Sequence, residues 1–277
     1  MGFLLDWLRY LIIALLVLVP LLWKASLACR YFIKMTAFYA CIAIEGIIIL
    51  PLVALRPRDP ENYRLVSWLA LKLTSWTGLE WEIRGAENFP AEQPCIIVSN
   101  HQSSLDIIGM MAVQPARSVA LIKSSLAYLP WFGWSAWLAG SVFVSRRNTA
   151  KAKATLANTL TRLKRKRMKL WVFPEGTRNH GDGFLEFKKG AFHLAVQAQI
   201  PVVPVVFSCY ENFYSKPERR FDLGGRILVE VLPGISTEGM DEESVSALTA
   251  RTRQAMLSVY NRLRPEAAAA NTHLKMD

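Results

Sequence analysis

The sequence predicts an α/β domain preceded by N-terminal membrane helices, and three observations carry that expectation. From Leu79 onward, seven short apolar runs recur with helical or loop segments between them, as strands alternating with helices do. Two longer apolar runs lie ahead of them. Hydrophobic residues make up 52% of the 277-residue chain, above the soluble average, and the mean hydropathy is positive.

The first apolar run, Tyr10 to Trp23, covers about 14 residues, short of the roughly 20 that cross a bilayer. Including Phe3 to Leu8 lengthens it but brings in Asp6 and Arg9. No small-residue cleavage pattern follows, so a retained anchor is expected rather than a signal peptide. Met35 to Leu55, about 21 residues interrupted by Glu45, is long enough to span with some tilt. Lys and Arg flank both runs, so charge sets no orientation. Residues 1–58 are thus read as an anchor of two hydrophobic helices, 59–265 as the α/β domain and 266–277 as a flexible tail.

Asp59-Pro60-Glu61 has the form of a helix start, an acid at the N-cap followed by proline. Leu65, Trp68, Leu69, Leu73 and Trp76 then recur at helical spacing, a stripe suited equally to a membrane interface or to a core. The strand candidates follow as WEIRG (81–85), CIIVS (95–99), SVALI (118–122), SVFVS (141–145), KLWVF (169–173), VVPVVF (202–207) and ILVEVL (227–232). Thr149 to Met168 reads as a helix with a basic, solvated end. Met240 to Arg264 reads as a terminal helix, with the tail beginning at Pro265.

Lys and Arg number 33 against 22 Asp and Glu, a formal charge of +11 that favours anionic partners. No RNP, zinc-finger or helix-turn-helix pattern is present, so lipid head groups and phosphate esters fit better than nucleic acid. The cysteines Cys29, Cys41, Cys95 and Cys209 have no CxxC spacing and read as buried thiols, with no metal site or disulfide framework.

Chemistry concentrates at two strand ends. NHQSSLD (100–106) follows CIIVS and places His101 where α/β folds bind ligands. A serine cap at Ser103 or Ser104 puts Asp106 in the first helical turn, folded back to hold one imidazole nitrogen while the other takes a proton from a substrate hydroxyl. The same residues also fit a capping box beside a core histidine. No G-x-S-x-G or HExxH pattern accounts for the histidine. FPEGTRN (173–179) follows KLWVF, with Pro174 and Gly176 forcing a turn. Arg178 offers a planar fork for a phosphate and Lys123 a second charge, although a plain Glu175–Arg178 ion pair is equally compatible.

NHQSSLD and FPEGTRN together resemble the 1-acyl-sn-glycerol-3-phosphate acyltransferases, the lysophosphatidic acid acyltransferases of the glycerolipid acyltransferase superfamily. The first matches that family's Asn-His-x4-Asp motif at His101 and Asp106, the second its Glu-Gly-Thr-Arg motif at Glu175, Gly176, Thr177 and Arg178. The likeness runs from about Cys95 to Phe213 and takes in the proline motif at 200–204, with 187–206 closest to the animal members. It implies a glycerolipid acyltransferase-like mixed sheet flanked by helices and an endoplasmic reticulum membrane enzyme. It also implies an acyl-CoA co-substrate, no bound cofactor or metal, and lysophosphatidic acid as acceptor. His101 and Asp106 would be catalytic, with Lys123, Arg146 and Arg178 around the lysolipid phosphate and Glu175, Gly176 and Thr177 shaping that site. The chain departs from the family at Ser124-Ser125, where Lys-x-Glu-Leu is common, and at Ser145, where Asp precedes Arg. Acceptor or acyl preference is therefore open to difference. Glycerol-3-phosphate or another lysophospholipid is an alternative acceptor, and a non-catalytic membrane-shaping protein is the alternative outside enzymes. The stretch 126–144, with Trp131, Trp134 and Trp137, suits an acyl groove, a membrane contact or core packing alike.

Overall fold

The computed structural model describes residues 2–145 and 149–275. Helices α1 (Gly2–Ala25), α2 (Leu27–Ala54) and α3 (Asn62–Leu73) precede the first strand. The strands are β1 (Glu80–Arg84), β2 (Cys95–Ser99), β3 (Ser118–Lys123), β4 (Val142–Val144), β5 (Lys169–Val172), β6 (Val202–Phe207), β7 (Tyr214–Ser215), β8 (Arg220–Phe221) and β9 (Arg226–Val231). Between them lie α4 (Asp106–Val113), α5 (Phe132–Leu138), α6 (Thr149–Lys166) and α7 (Gly190–Ala198), and α8 (Ser244–Ala270) closes the fold.

All seven apolar runs become strands of one sheet, in the order β1-β9-β6-β2-β5-β3-β4. Every neighbouring pair is parallel except β6 with β9, so the sheet is mixed, as expected. Every residue of β2, β5 and β6 is buried, which is why these runs are mostly apolar rather than alternating. Because β6, β2, β5 and β3 share one direction, the residues just past their carboxyl ends meet along one edge.

Two details fix that edge. Trp171, fully buried on β5, donates its indole N–H to Ser99 Oγ at the end of β2 (2.7 Å). Helix α4 lies so close to the sheet that a Cβ on Gly109 would stand 2.7 Å from the Trp81 ring and 2.9 Å from Phe207. A side chain there would lift the helix that carries Asp106. The one cation buried at the start of β5, Lys169, donates to the Ala91 and Ala116 carbonyls at 3.1 Å each, and burial lowers its pKa.

The N-terminal helices differ from the expectation in extent. α1 is 24 residues long and runs through Asp6, Arg9 and Pro20. α2 begins at Leu27, well before Met35, and Lys34, which read as a flank, sits inside it with a partner: its Nζ donates to the Phe221 carbonyl at 2.6 Å. Among the described residues α2 is the one helix long and apolar enough to cross a membrane. One face of it, Tyr31, Met35, Phe38, Ile42, Glu45, Ile49 and Val53, is nevertheless buried in the same core as the sheet. A Cβ on Gly46 would reach 3.0 Å from the Trp131 backbone, so α2 and the start of α5 touch main chain to main chain. The other face shows Phe32, Ile44, Ile47, Ile48 and Leu52 outward.

Three further differences concern the domain. The stripe on α3 faces out at Leu65, Trp68 and, just beyond the helix, Trp76, while Tyr63, Val66, Ser67 and Ala70 form its buried side. Leu69 of that stripe still packs against the core, whereas Trp131, Trp134 and Trp137 all point outward. The terminal helix does not stop before Pro265; α8 continues to Ala270. Ala267 is buried, Glu266 pairs with Arg84 (2.7 Å), and Asn271 bonds both the N–H and the carbonyl of Arg226. These contacts outweigh the backbone bond that proline removes. The β7–β8 hairpin, absent from the sequence reading, packs beside α2.

Candidate active site

β2 and β5 are paired neighbours, with Val98 opposite Val172, so the two sequence motifs that follow them emerge side by side. Asn100 ties the first loop to β6 by a reciprocal pair: its amide donates to the Phe207 carbonyl and its carbonyl accepts from the Phe207 N–H, both at 2.9 Å. Gln102 adds a bond from its side chain to the Ser208 carbonyl (2.9 Å). The chain thus leaves β2 in a fixed direction.

Asp106 is fully buried at the first position of α4. Its Oδ2 accepts from His101 Nδ1 at 2.6 Å, from the Gln102 N–H at 2.6 Å and from the Ser103 N–H at 3.0 Å. The carboxylate therefore closes the loop on itself and fixes the imidazole at the same time. Neither serine caps α4; the Ser103 hydroxyl instead accepts from the Leu105 N–H. The His101 ring stacks on Phe173, centroids 4.2 Å apart and planes at 22°. With Nδ1 held and one face covered, Nε2 is the nitrogen left for chemistry in the cavity that His101 lines.

Glu175 and Arg178 do not pair; among the described residues Arg178 has no hydrogen bond or ion pair, and it lines the same cavity. Glu175 is buried and turned inward. One oxygen accepts from the His101 N–H (2.8 Å) and the other from the Leu185 N–H (2.9 Å). The Asn179 N–H donates in turn to the His101 carbonyl (2.7 Å). Both backbone polar groups of His101 are thus clamped by the second motif. Burial pushes the Glu175 carboxyl above its ordinary pKa, against the two N–H bonds that favour its ionised form. Glu175, expected to shape the substrate site directly, is a brace for His101. Gly176, also expected there, supplies the turn: its φ is +72°, and a Cβ would meet the Lys188 side chain at 2.7 Å.

The cavity measures about 520 Å³. Its polar end carries His101, Lys123, Thr177, Arg178, His180 and Lys216, and its walls are Ile42, Val66, Met110, Met111, Leu126 and Phe132. Lys123 ends β3 while Ala120 lies three residues back along the strand, so the lining reaches roughly 10 Å inward from the charged rim. At that depth stand Glu45 and Tyr63, whose hydroxyl hydrogen-bonds Ser141. Arg146 lies outside the described residues. His180 and Lys216 were not singled out from sequence. His180 follows Arg178 by two positions, a legible signal, whereas Lys216 arrives on the β7–β8 hairpin and had none. The Lys216 amine stands 3.4 Å from His180 Nε2. Burial first, then the neighbouring Lys216 and Arg178, lower the His180 pKa, so it is a neutral donor or acceptor beside cations. Among the described residues no group of His, Cys, Asp and Glu is arranged to hold a metal.

A model of the acyltransferase family matches residues 80–208. The chain is 42% identical over 256 residues to 1-acyl-sn-glycerol-3-phosphate acyltransferase alpha of Bos taurus, covering 92% of this chain and 89% of that protein. It is also 42% identical over 258 residues to the Homo sapiens protein of the same name, covering 93% and 91%. Among solved structures, the 1-acyl-sn-glycerophosphate acyltransferase PlsC from Thermotoga maritima superposes with a TM-score of 0.66 at 24% identity, over 86% of this chain and 98% of that one, a likeness of fold.

Proposed function

Starting from the 1-acyl-sn-glycerol-3-phosphate acyltransferase family, to which this chain belongs, we propose that it moves a fatty acyl group from acyl-CoA to the sn-2 hydroxyl of lysophosphatidic acid, giving phosphatidic acid and CoA. The observation that carries the mechanism is the 2.6 Å bond between His101 Nδ1 and the buried Asp106, which supports Nε2 as the base. Nε2 takes the hydroxyl proton as that oxygen attacks the thioester carbonyl carbon. The tetrahedral adduct then expels the CoA thiolate, which takes the proton back from the imidazolium. No acyl-enzyme forms.

The apolar walls suit an acyl chain, and the rim cations Arg178, Lys123 and Lys216 suit the lysolipid phosphate. Arg146 belongs to the same phosphate group on sequence grounds. The chain is a membrane protein by its relatives and its apolar N-terminal helix, and the resemblance of residues 187–206 to animal family members is the ground for placing it in the endoplasmic reticulum membrane.

The test is release of CoA thiol by purified protein given one long-chain acyl-CoA and a panel of acceptors, run beside His101→Ala. Lysophosphatidic acid should be the best acceptor, and His101→Ala should lose about 10²–10⁴-fold in turnover while remaining folded. Preference for glycerol-3-phosphate or a choline-bearing lysolipid would overturn the acceptor. Wild-type turnover by a folded His101→Ala protein would overturn the base.

A further inference from the structure

Two buried polar atoms at the His101–Asp106 pair have no hydrogen-bond partner among the described residues: Asp106 Oδ1 and the Tyr210 hydroxyl. Tyr210 stands just past β6 with 3% of its surface exposed. Asp106 is the charged side chain next to the Tyr210 hydroxyl. Burial and the Asp106 charge drive the phenol's pKa well above its ordinary value, so its hydroxyl keeps its proton. An ionised carboxylate oxygen can only accept, and a phenol that stays neutral can donate. Leaving both unpaired in a buried site is unfavourable, and a small shift of the Tyr210 ring toward the carboxylate relieves both at once.

We propose that Tyr210 is a positioning residue of the acyl transfer, its hydroxyl donating to Asp106 Oδ1 and so fixing how Oδ2 is presented to His101. The inference rests on His101 being the general base. Oδ2 is already shared among the imidazole and two backbone N–H groups, so Oδ1 is the only free handle on the carboxylate. A donor there does two things. It stops rotation of the carboxylate about its own axis, and it draws charge away from the oxygen that supports the imidazolium.

The other titratable and charged groups around the assembly lie on separate elements. Tyr260 of α8 adjoins Tyr210 and is itself surrounded by Cys209, Asp182, Glu211 and Arg264. Glu175 holds the His101 backbone, and His180, with Arg178 and Lys216, faces Asp106 from the cavity side. None of these occupies Oδ1.

Two replacements test the proposal in the full-length protein. Tyr210→Phe removes the donor and keeps the ring. More charge then stays on Oδ2, the imidazolium is held more firmly, and the acid limb of kcat/KM moves up by about half to one pH unit, with kcat down about tenfold. Tyr210→3-fluorotyrosine strengthens the donor within nearly the same volume and should move the limb the opposite way. The KM for lysolipid should change in neither. Opposite shifts sustain the proposal; an unmoved limb in both variants, or shifts of the same sign, overturns it. A His101→Ala control separates the two readings. If it retains turnover the base assignment fails, whereas an inactive control beside unmoved Tyr210 profiles removes only the role of Tyr210.

Discussion

Asp106→Asn removes one charge and almost no volume, and the structure dictates how the new side chain sits. Three hydrogens converge on Oδ2, so the amide oxygen has to occupy that position and the NH2 group the Oδ1 position. The backbone bonds from Gln102 and Ser103 survive in neutral form. Hydrogen bonds to a charged group contribute about 1.5–3 kcal/mol and neutral ones about 0.5–1.5 kcal/mol. Weakening three of them, offset by the relief of a buried charge, costs about 1–3 kcal/mol and lowers the melting midpoint by about 2–12 °C. Turnover suffers more. The imidazolium that forms during attack loses its counter-charge at 2.6 Å inside a buried site, so kcat should fall about 10²–10⁴-fold while both KM values hold. The assay is CoA release at saturating acyl-CoA and lysophosphatidic acid, paired with a thermal melt of the same preparation. A variant that melts as expected and keeps kcat within about threefold of wild type would refute the idea that Asp106 serves the chemistry through its charge.

Two further expectations concern the second motif. Arg178→Ala, taking away an unpaired cation at the cavity rim, should raise the KM for lysophosphatidic acid about 10- to 100-fold and leave that for acyl-CoA unchanged; an effect confined to acyl-CoA would move Arg178 to the donor. Glu175 has a pKa raised on folding, so the native state binds its proton more readily than the unfolded chain does. Its contribution to stability therefore grows as pH falls through the raised native value and levels off below the unfolded value near 4.3. Urea midpoints measured across that window should show this slope in wild type and lose it in Glu175→Gln; an identical slope in both would refute the assignment.

The strands were legible because burial on both faces leaves mostly apolar residues in runs such as 95–99 and 202–207, and no tertiary knowledge is needed to see them. The pairing of His101 with Asp106 was legible too, since five residues at a strand-to-helix turn bring the side chains within reach. Other features depended on contacts distant in sequence. Nothing local shows that Glu175 turns inward to the His101 backbone, and its nearness to Arg178 in the chain suggests a pair that does not form. α8 passes Pro265 because Asn271 is anchored to β9, forty-five residues upstream in the chain. The two-residue strands β7 and β8, in a stretch full of Lys, Arg and Glu, carry too little pattern to be seen. With them Lys216 was lost from view.

The second helix is built further into the cavity and its surrounding loops than attachment to a bilayer requires. Tyr39 hydrogen-bonds Ser104 inside the loop that joins His101 to Asp106, Tyr31 meets the Tyr214 hydroxyl at 3.3 Å and Lys34 holds the end of the hairpin that bears Lys216. Ile42 and Glu45 are part of the cavity wall. Its outward residues need only be greasy and could be exchanged among themselves with little consequence. Its inward residues answer to particular partners, and there no exchange is neutral. A borrowed anchor of equal hydropathy would return the protein to the lipid with one side of its substrate chamber missing, so here the mooring and the vessel are a single piece.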